Sequence, residues 1–156
     1  MTRIGLFAAT ALIGLLPLAA QAEESTVVGS GAGIKWVAAP PAAGLPAGTQ
    51  MAMLFGDPAK DGQYGVRLKF PAGAKIAPHT HPNDENVTVL SGALKVGLGE
   101  KFDAAKMTTL SAGGFVRLPK GTPHYALATQ ATIIQSNNVG PTGRSYLNPA
   151  DDPTKK

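Results

Sequence analysis

Punctuation limits this fold more than any other feature. From Thr49 to Asn137 the chain is cut into short apolar runs by Gly, Pro, Asn and Asp, and no apolar period of 3.6 residues persists beyond a turn. A helix of ordinary length needs such a stripe to bury one face. The runs show alternation instead: Tyr64, Val66, Leu68 and Phe70 are interleaved with Gly65, Arg67 and Lys69, the pattern of a strand with one buried and one wet face. On this reading strands occupy 50–55, 64–70, 75–81, 85–90, 93–99, 107–111, 114–118, 123–128 and 131–137, with one helical turn between Phe102 and Met107. With 19 glycines and 13 prolines to make corners, so many short strands predict an all-β sandwich or barrel.

That barrel unit spans residues 49–140, and the flanks read differently. Residues 1–22 have a positive lead (Met1-Thr2-Arg3), an apolar run from Ile4 to Leu18 and a small-x-small end at Ala20-Gln21-Ala22. This is the pattern of a Sec-type signal peptide cleaved after Ala22, and it predicts a periplasmic or secreted product. The run is short for crossing a bilayer and is broken by Gly14 and Pro17, so no stable membrane anchor is expected. Residues 23–48 form an arm rich in Gly, Ala and Pro. Its one apolar interruption, Ile34-Lys35-Trp36-Val37, predicts a strand anchored by Trp36. Residues 141–156 are a C-terminal tail.

Cleavage would remove Arg3 and leave 13 basic residues against 10 acidic ones, scattered along the chain. Without a basic stripe interleaved with aromatics, nucleic acid is excluded as a partner class. The chain contains no cysteine, so neither disulfides nor thiolates enter any mechanism.

Chemistry concentrates in three histidines, all the chain has: His79, His81 and His124. On a strand, residues i and i+2 share a face, so His79 and His81 can grip one ion. A carboxylate from the next strand (Glu85) and an imidazole from some forty residues further on would complete three nitrogens and one oxygen. Such a set suits one divalent transition metal per chain: Zn, Fe, Mn, Ni or Cu.

These residues fall in two ordered motifs, Gly73-x5-His79-x-His81-x3-Glu85-x6-Gly92 and Gly113-x5-Pro119-x-Gly121-x2-His124. In both, the chain resembles the cupin superfamily. The one departure is Ala128, where the family pattern usually carries Asn, and it leaves all four ligand positions intact. The resemblance implies a small jelly-roll barrel (a double-stranded β-helix), a metal held in its mouth by His79, His81, Glu85 and His124, and pairing into a homodimer. The wider pattern is similar to small exported bacterial single-domain cupins. Gly73, Gly92, Gly113, Pro119 and Gly121 are expected to mark turns and corners.

Every histidine is spent as a ligand, so proton transfer would fall to a carboxylate, a tyrosine, a lysine or metal-bound water. The leading expectation is therefore a metal-centred oxidoreductase or dioxygenase acting on a small chelating organic molecule. The alternative is a non-catalytic carrier, buffer or sensor of a metal or small ligand. Gln135, a polar residue in an apolar strand, is expected to support the site or line its pocket. Asp84 is read as a solvated turn residue and Tyr125 as a packing residue. Met51, Met53 and Phe55 are read as core or pocket wall.

Overall fold

Alternation and corners sort the strands into two layers. The computed structural model describes residues 25–28 and 31–155. The expected signal peptide, residues 1–22, lies outside them. Among the described residues the strands are β1 (Val37–Ala38), β2 (Gln50–Phe55), β3 (Gly62–Phe70), β4 (Lys75–Thr80), β5 (Glu85–Ser91), β6 (Ala93–Leu98), β7 (Thr108–Ser111), β8 (Phe115–Leu118), β9 (His124–Ala128), β10 (Thr132–Gly140) and β11 (Ser145–Tyr146). One sheet runs β1-β2-β3-β10-β5-β8 and the other β11-β4-β9-β6-β7, and the paired strands are antiparallel throughout. From β3 to β10 the chain passes repeatedly from one sheet to the other, which winds it into a double-stranded β-helix. No described helix is long and apolar enough to cross a membrane.

Inward positions of both sheets build the core. Phe70, Ile76, Val87, Val89, Leu94, Val96, Ala126 and Ile134 are buried in one cluster, and pairs such as Val87/Val89 and Leu94/Val96 follow the period of two. The tyrosine read as packing does pack: Tyr125 is fully buried, its ring lies 5.0 Å from that of Phe102, and its hydroxyl donates to the Asp103 carbonyl at 3.2 Å. Gly73, Gly92, Gly113 and Gly121 all have positive φ, as their corner positions require. Ala128, where the resemblance leads one to expect Asn, is buried, and its N–H donates to the Ala74 carbonyl at 2.9 Å.

The flanks differ from their expected form. The strand expected over Ile34–Val37 is reduced to β1, which pairs Val37 with Met51 and Ala38 with Gln50. The Ala39 N–H still donates to the Thr49 carbonyl at 2.9 Å, but Pro40 and Pro41 come next and cannot donate to a ladder, so the pairing ends there. Trp36 is half-buried, with Lys69 Nζ 6.0 Å from its ring centroid. The tail also enters a sheet, because β11 pairs Ser145 with Thr80 and Tyr146 with His79. The tail therefore joins the barrel at its histidine-bearing strand β4, whereas β1 of the arm joins the other sheet at β2.

Candidate metal centre

Strand register assembles the three histidines. His79 and His124 are direct partners in the β4–β9 ladder, and His81 follows the end of β4. Glu85 opens β5 in the opposite sheet, so the cluster sits where the two layers face each other at one end of the barrel. The turn that delivers His124 is fixed by backbone bonds: the Thr122 N–H donates to the Pro119 carbonyl at 3.0 Å, and the Gly121 N–H to the His81 carbonyl at 2.9 Å. The second motif is thereby tied onto the first.

Each imidazole is held by its Nδ1. His79 Nδ1–H donates to the Ala77 carbonyl at 2.8 Å, His124 Nδ1–H to the Thr122 carbonyl at 2.9 Å, and His81 Nδ1–H to the Gly143 carbonyl. A carbonyl can only accept, so the neutral rings carry their proton on Nδ1 and present a bare Nε2. These bare nitrogens converge. The Nε2 atoms of His79 and His81 are 3.2 Å apart, and one ligand atom from each of the three histidines falls within 4.8 Å of the others. Glu85 Oε2 is 3.2 Å from His124 Nε2 and 3.6 Å from His81 Nε2. Two donors bound to one ion at about 2.1 Å and roughly right to tetrahedral angles lie about 3.0–3.4 Å apart. The three histidines are thus placed to bind a metal ion, and the chemistry of the donors fits one: lone pairs facing lone pairs repel unless a cation lies between them.

Burial keeps these groups ready for a metal. Desolvation, aided by the Arg144 charge, pushes His79 down from 6.5 to about 2, so its ring is neutral and available. Burial lowers His81 too, although the Glu85 charge pulls it back up. In the metal-free site burial pushes Glu85 upward but is outweighed by a hydrogen bond from His124 and by the charges of His81, His124 and Arg144, the imidazoles acting when they carry a second proton on Nε2, and the balance brings Glu85 down to about 2.

This has a consequence for the metal-free protein. Between pH 6.5 and 2 the unfolded chain binds a proton at His79 that the folded chain does not, so the stability contribution is complete above 6.5 and is lost as pH falls. The loss approaches about 1.4 kcal/mol per pH unit below that point. Glu85 adds a second loss of the same sign below 4.5. Urea midpoints of chelator-treated protein should therefore drop steadily from pH 7 to pH 5. A flat profile over that range would show that His79 protonates freely in the fold.

Access to the cluster is one-sided. The His81 and Glu85 side chains are 11% and 18% exposed, against 4% for His124, and both line a cleft of about 530 Å³. Met51, Met53, Leu68 and Leu45 give that cleft an apolar wall, in keeping with the pocket-wall reading of the β2 methionines. Phe55 is partly exposed and packs over Gly65. The arm and tail close one side, where Tyr146 Oη donates to the Gly44 carbonyl at 2.8 Å and Arg144 Nη1 to the Ala43 and Gly44 carbonyls at 2.8 and 3.1 Å.

Gln135 is the expectation the structure corrects. Its Oε1 accepts from Arg67 Nε at 2.9 Å, and its neighbours Ile134 and Ser136 are the buried, inward positions of β10. Gln135 therefore lies on the opposite face of the sheet, and its polar partner is across the ladder rather than at the metal donors. Ser136 reaches the cleft instead. Asp84 lies at the surface, as expected, bound to the Arg117 guanidinium and to the Lys120 N–H at 2.9 Å. Arg144, Tyr146 and the Gly143 carbonyl escaped the sequence reading. The only signal was the break of Pro-Gly composition by Arg-Ser-Tyr at 144–146.

A double-stranded β-helix with clustered imidazoles at one end defines a class of protein. Residues 66–133 match the family model described as "Cupin domain", which supports the cupin superfamily as that class. Among solved structures it is similar to the polyketide cyclase RemF of Streptomyces resistomycificus (18% identity, TM-score 0.61, covering 79% of this chain and 86% of that one). It is similar also to an RmlC-like cupin of Shewanella frigidimarina (17%, TM-score 0.55, 75% and 91%). A salicylate 1,2-dioxygenase of Pseudaminobacter salicylatoxidans aligns over 64% of this chain but 30% of its own length (14%, TM-score 0.52). At these identities the likeness speaks for the fold alone. Comparison with curated proteins found no match.

Proposed function

We propose that this protein is an exported metal-dependent cupin enzyme, an oxidoreductase of the dioxygenase kind, acting on a small chelating organic substrate. One divalent transition metal would be held by His79, His81, Glu85 and His124. The observation that carries this reading is that two of these four side chains, His81 and Glu85, form part of the wall of the cleft. A metal there would have a side facing the cleft, which distinguishes a working site from a sealed structural one. A bound ion would supply Lewis acidity and, for Fe, Mn, Ni or Cu, redox chemistry. The chain's own residues do the rest: Nδ1 bonds to backbone carbonyls orient the rings, burial keeps His79 neutral, and the apolar wall excludes water from the substrate body.

A second reading has its own support. Tyr64 Oη is tied to Thr142 Oγ1 at 3.0 Å and Tyr146 Oη to Gly44, so neither cleft tyrosine is free to relay protons, which favours a carrier or sensor of a metal-bound ligand. Metal analysis of protein expressed with export, followed by oxygen uptake with diols, thiols and oxo acids, separates the two. The enzyme reading expects about one ion per chain and uptake with one substrate class. A stoichiometric metal with no uptake would favour the carrier, and no stoichiometric metal would remove both.

A further inference from the structure

We propose that Arg144 is the substrate-anchoring residue of the cleft and that the ligand it selects is a small organic acid, its carboxylate seated on the Nε–Nη2 edge of the guanidinium. The proposal rests on the cleft reading above and names the substrate class for it.

The guanidinium is held and half-used. Nη1 donates to the Ala43 and Gly44 carbonyls, two neutral acceptors on the arm, which fixes the plane of the group. Nε is buried without a partner, and among the described residues Nη2 forms no hydrogen bond. The vacant edge therefore has two parallel N–H donors, the geometry that matches a carboxylate in bidentate fashion. A buried donor left unpaired is costly, and a partly buried cation without a counter-charge more so. The protein places no carboxylate in contact with that edge, and Glu85 interacts with Arg144 only through space. Of the acidic groups around the cleft, Asp84 is bound to Arg117 and the Lys120 N–H, Asp152 to Thr154 and Lys155, and Glu85 lies against His81 and His124. No carboxylate among the described residues lies within ion-pair distance of Arg144.

Position completes the argument. Arg144 lines both the open cleft and the small inner space bounded by His79, Glu85 and His124, and its charge is felt at His79, His81 and Glu85. An acid on the vacant edge would thus lie beside the metal donors, with its organic body against Met51, Met53 and Leu68. A 2-oxo acid has a second oxygen next to its carboxylate, which suits it to both sites at once.

The test is calorimetric titration of pyruvate, benzoylformate, pyruvamide and inorganic phosphate into zinc-loaded and metal-free full-length protein, wild type, Arg144→Gln and Arg144→Lys. The expected result is that wild type binds the two acids, and Arg144→Gln binds them at least about tenfold more weakly with unchanged metal content. Arg144→Lys keeps the charge but not the paired edge, and should also bind weakly. It decides the matter if the Gln variant does not fold. Pyruvamide should bind none of them. Where no metal is retained, acid binding by the metal-free protein that Arg144→Gln abolishes still sustains the anchor while the metal reading fails. Equal binding by wild type and both variants, no acid binding by wild type, or tighter Arg144-dependent binding of phosphate than of either acid would overturn it.

Discussion

Replacing His79 and His81 together by Ala will leave the protein without stoichiometric metal. The pair contributes two of the three imidazoles whose Nε2 atoms converge, and what remains is His124 with the proposed ligand Glu85, which come from separate sheets. Disturbing only the outer hydrogen-bond partners of ligands costs about 10- to 100-fold in affinity, so removing two ligands outright costs more. Elemental analysis should fall from about one ion per wild-type chain to below about a tenth. The fold should survive, because the core cluster lies beneath the histidines and includes neither. Far-UV circular dichroism should match that of chelated wild type. His79 is buried, so its truncation leaves a void worth about 1–3 kcal/mol, read as a lower urea midpoint than the metal-free parent. His81, more exposed, should cost less when replaced alone. Unchanged metal content in the double variant would show that the imidazoles hold no ion, and the functional proposal would go with it.

The reasons this site could be read from the chain also explain where the reading stopped. His79, His81 and Glu85 fall on or beside two consecutive strands, and the parity that puts Glu85 inward also buries Val87 and Val89. The corners needed residues that tolerate positive φ, and Gly73, Gly92, Gly113 and Gly121 stood where the strands had to reverse. What could not be read was contact between distant segments that lack a period. Arg144 reaches Ala43 and Gly44 about a hundred positions earlier, and neither segment alternates. The carbonyl that fixes the His81 ring belongs to Gly143, and a backbone acceptor leaves no mark in a sequence at all. Gln135 failed for a different reason. A polar residue in an apolar strand does need a partner, but Thr132-Ile133-Ile134-Gln135-Ser136 has apolar residues on both faces, and the sequence could not tell which face held the site. The register places Arg67 directly opposite Gln135 on β3, and that pairing satisfies the amide.

Gly92→Ala will destabilise the barrel far more than Gly73→Ala, although both glycines have nearly the same backbone, φ +80° and +81°. Any L-residue there carries the left-handed penalty of about 1–2 kcal/mol. The space around the two differs. A Cβ at Gly73 meets nothing within 4 Å, whereas one at Gly92 is driven against the Ala131 carbonyl oxygen, with Thr132 Oγ1 at 2.7 Å and Thr132 Cα at 2.8 Å. These neighbours have no room to yield. Thr132 is fully buried, and its hydroxyl accepts from the Ala93 N–H at 3.1 Å and lies 2.8 Å from the Gln130 carbonyl, to which it can donate. Overpacking of this kind adds about 1–3 kcal/mol. The expected total is about 2–5 kcal/mol for Gly92→Ala against about 1–2 for Gly73→Ala, a difference in melting temperature on the order of 10 °C. The site should sense this only through unfolding, because Gly92 joins β5 to β6 at the end of β5 away from Glu85. At temperatures where the variant remains folded, metal content per chain should equal that of wild type, and it should fall in step with the earlier loss of secondary structure. Equal melting temperatures for the two variants would mean that the corner relaxes around a methyl group, and that the packing of Thr132 against Gly92 does not hold the two sheets in register.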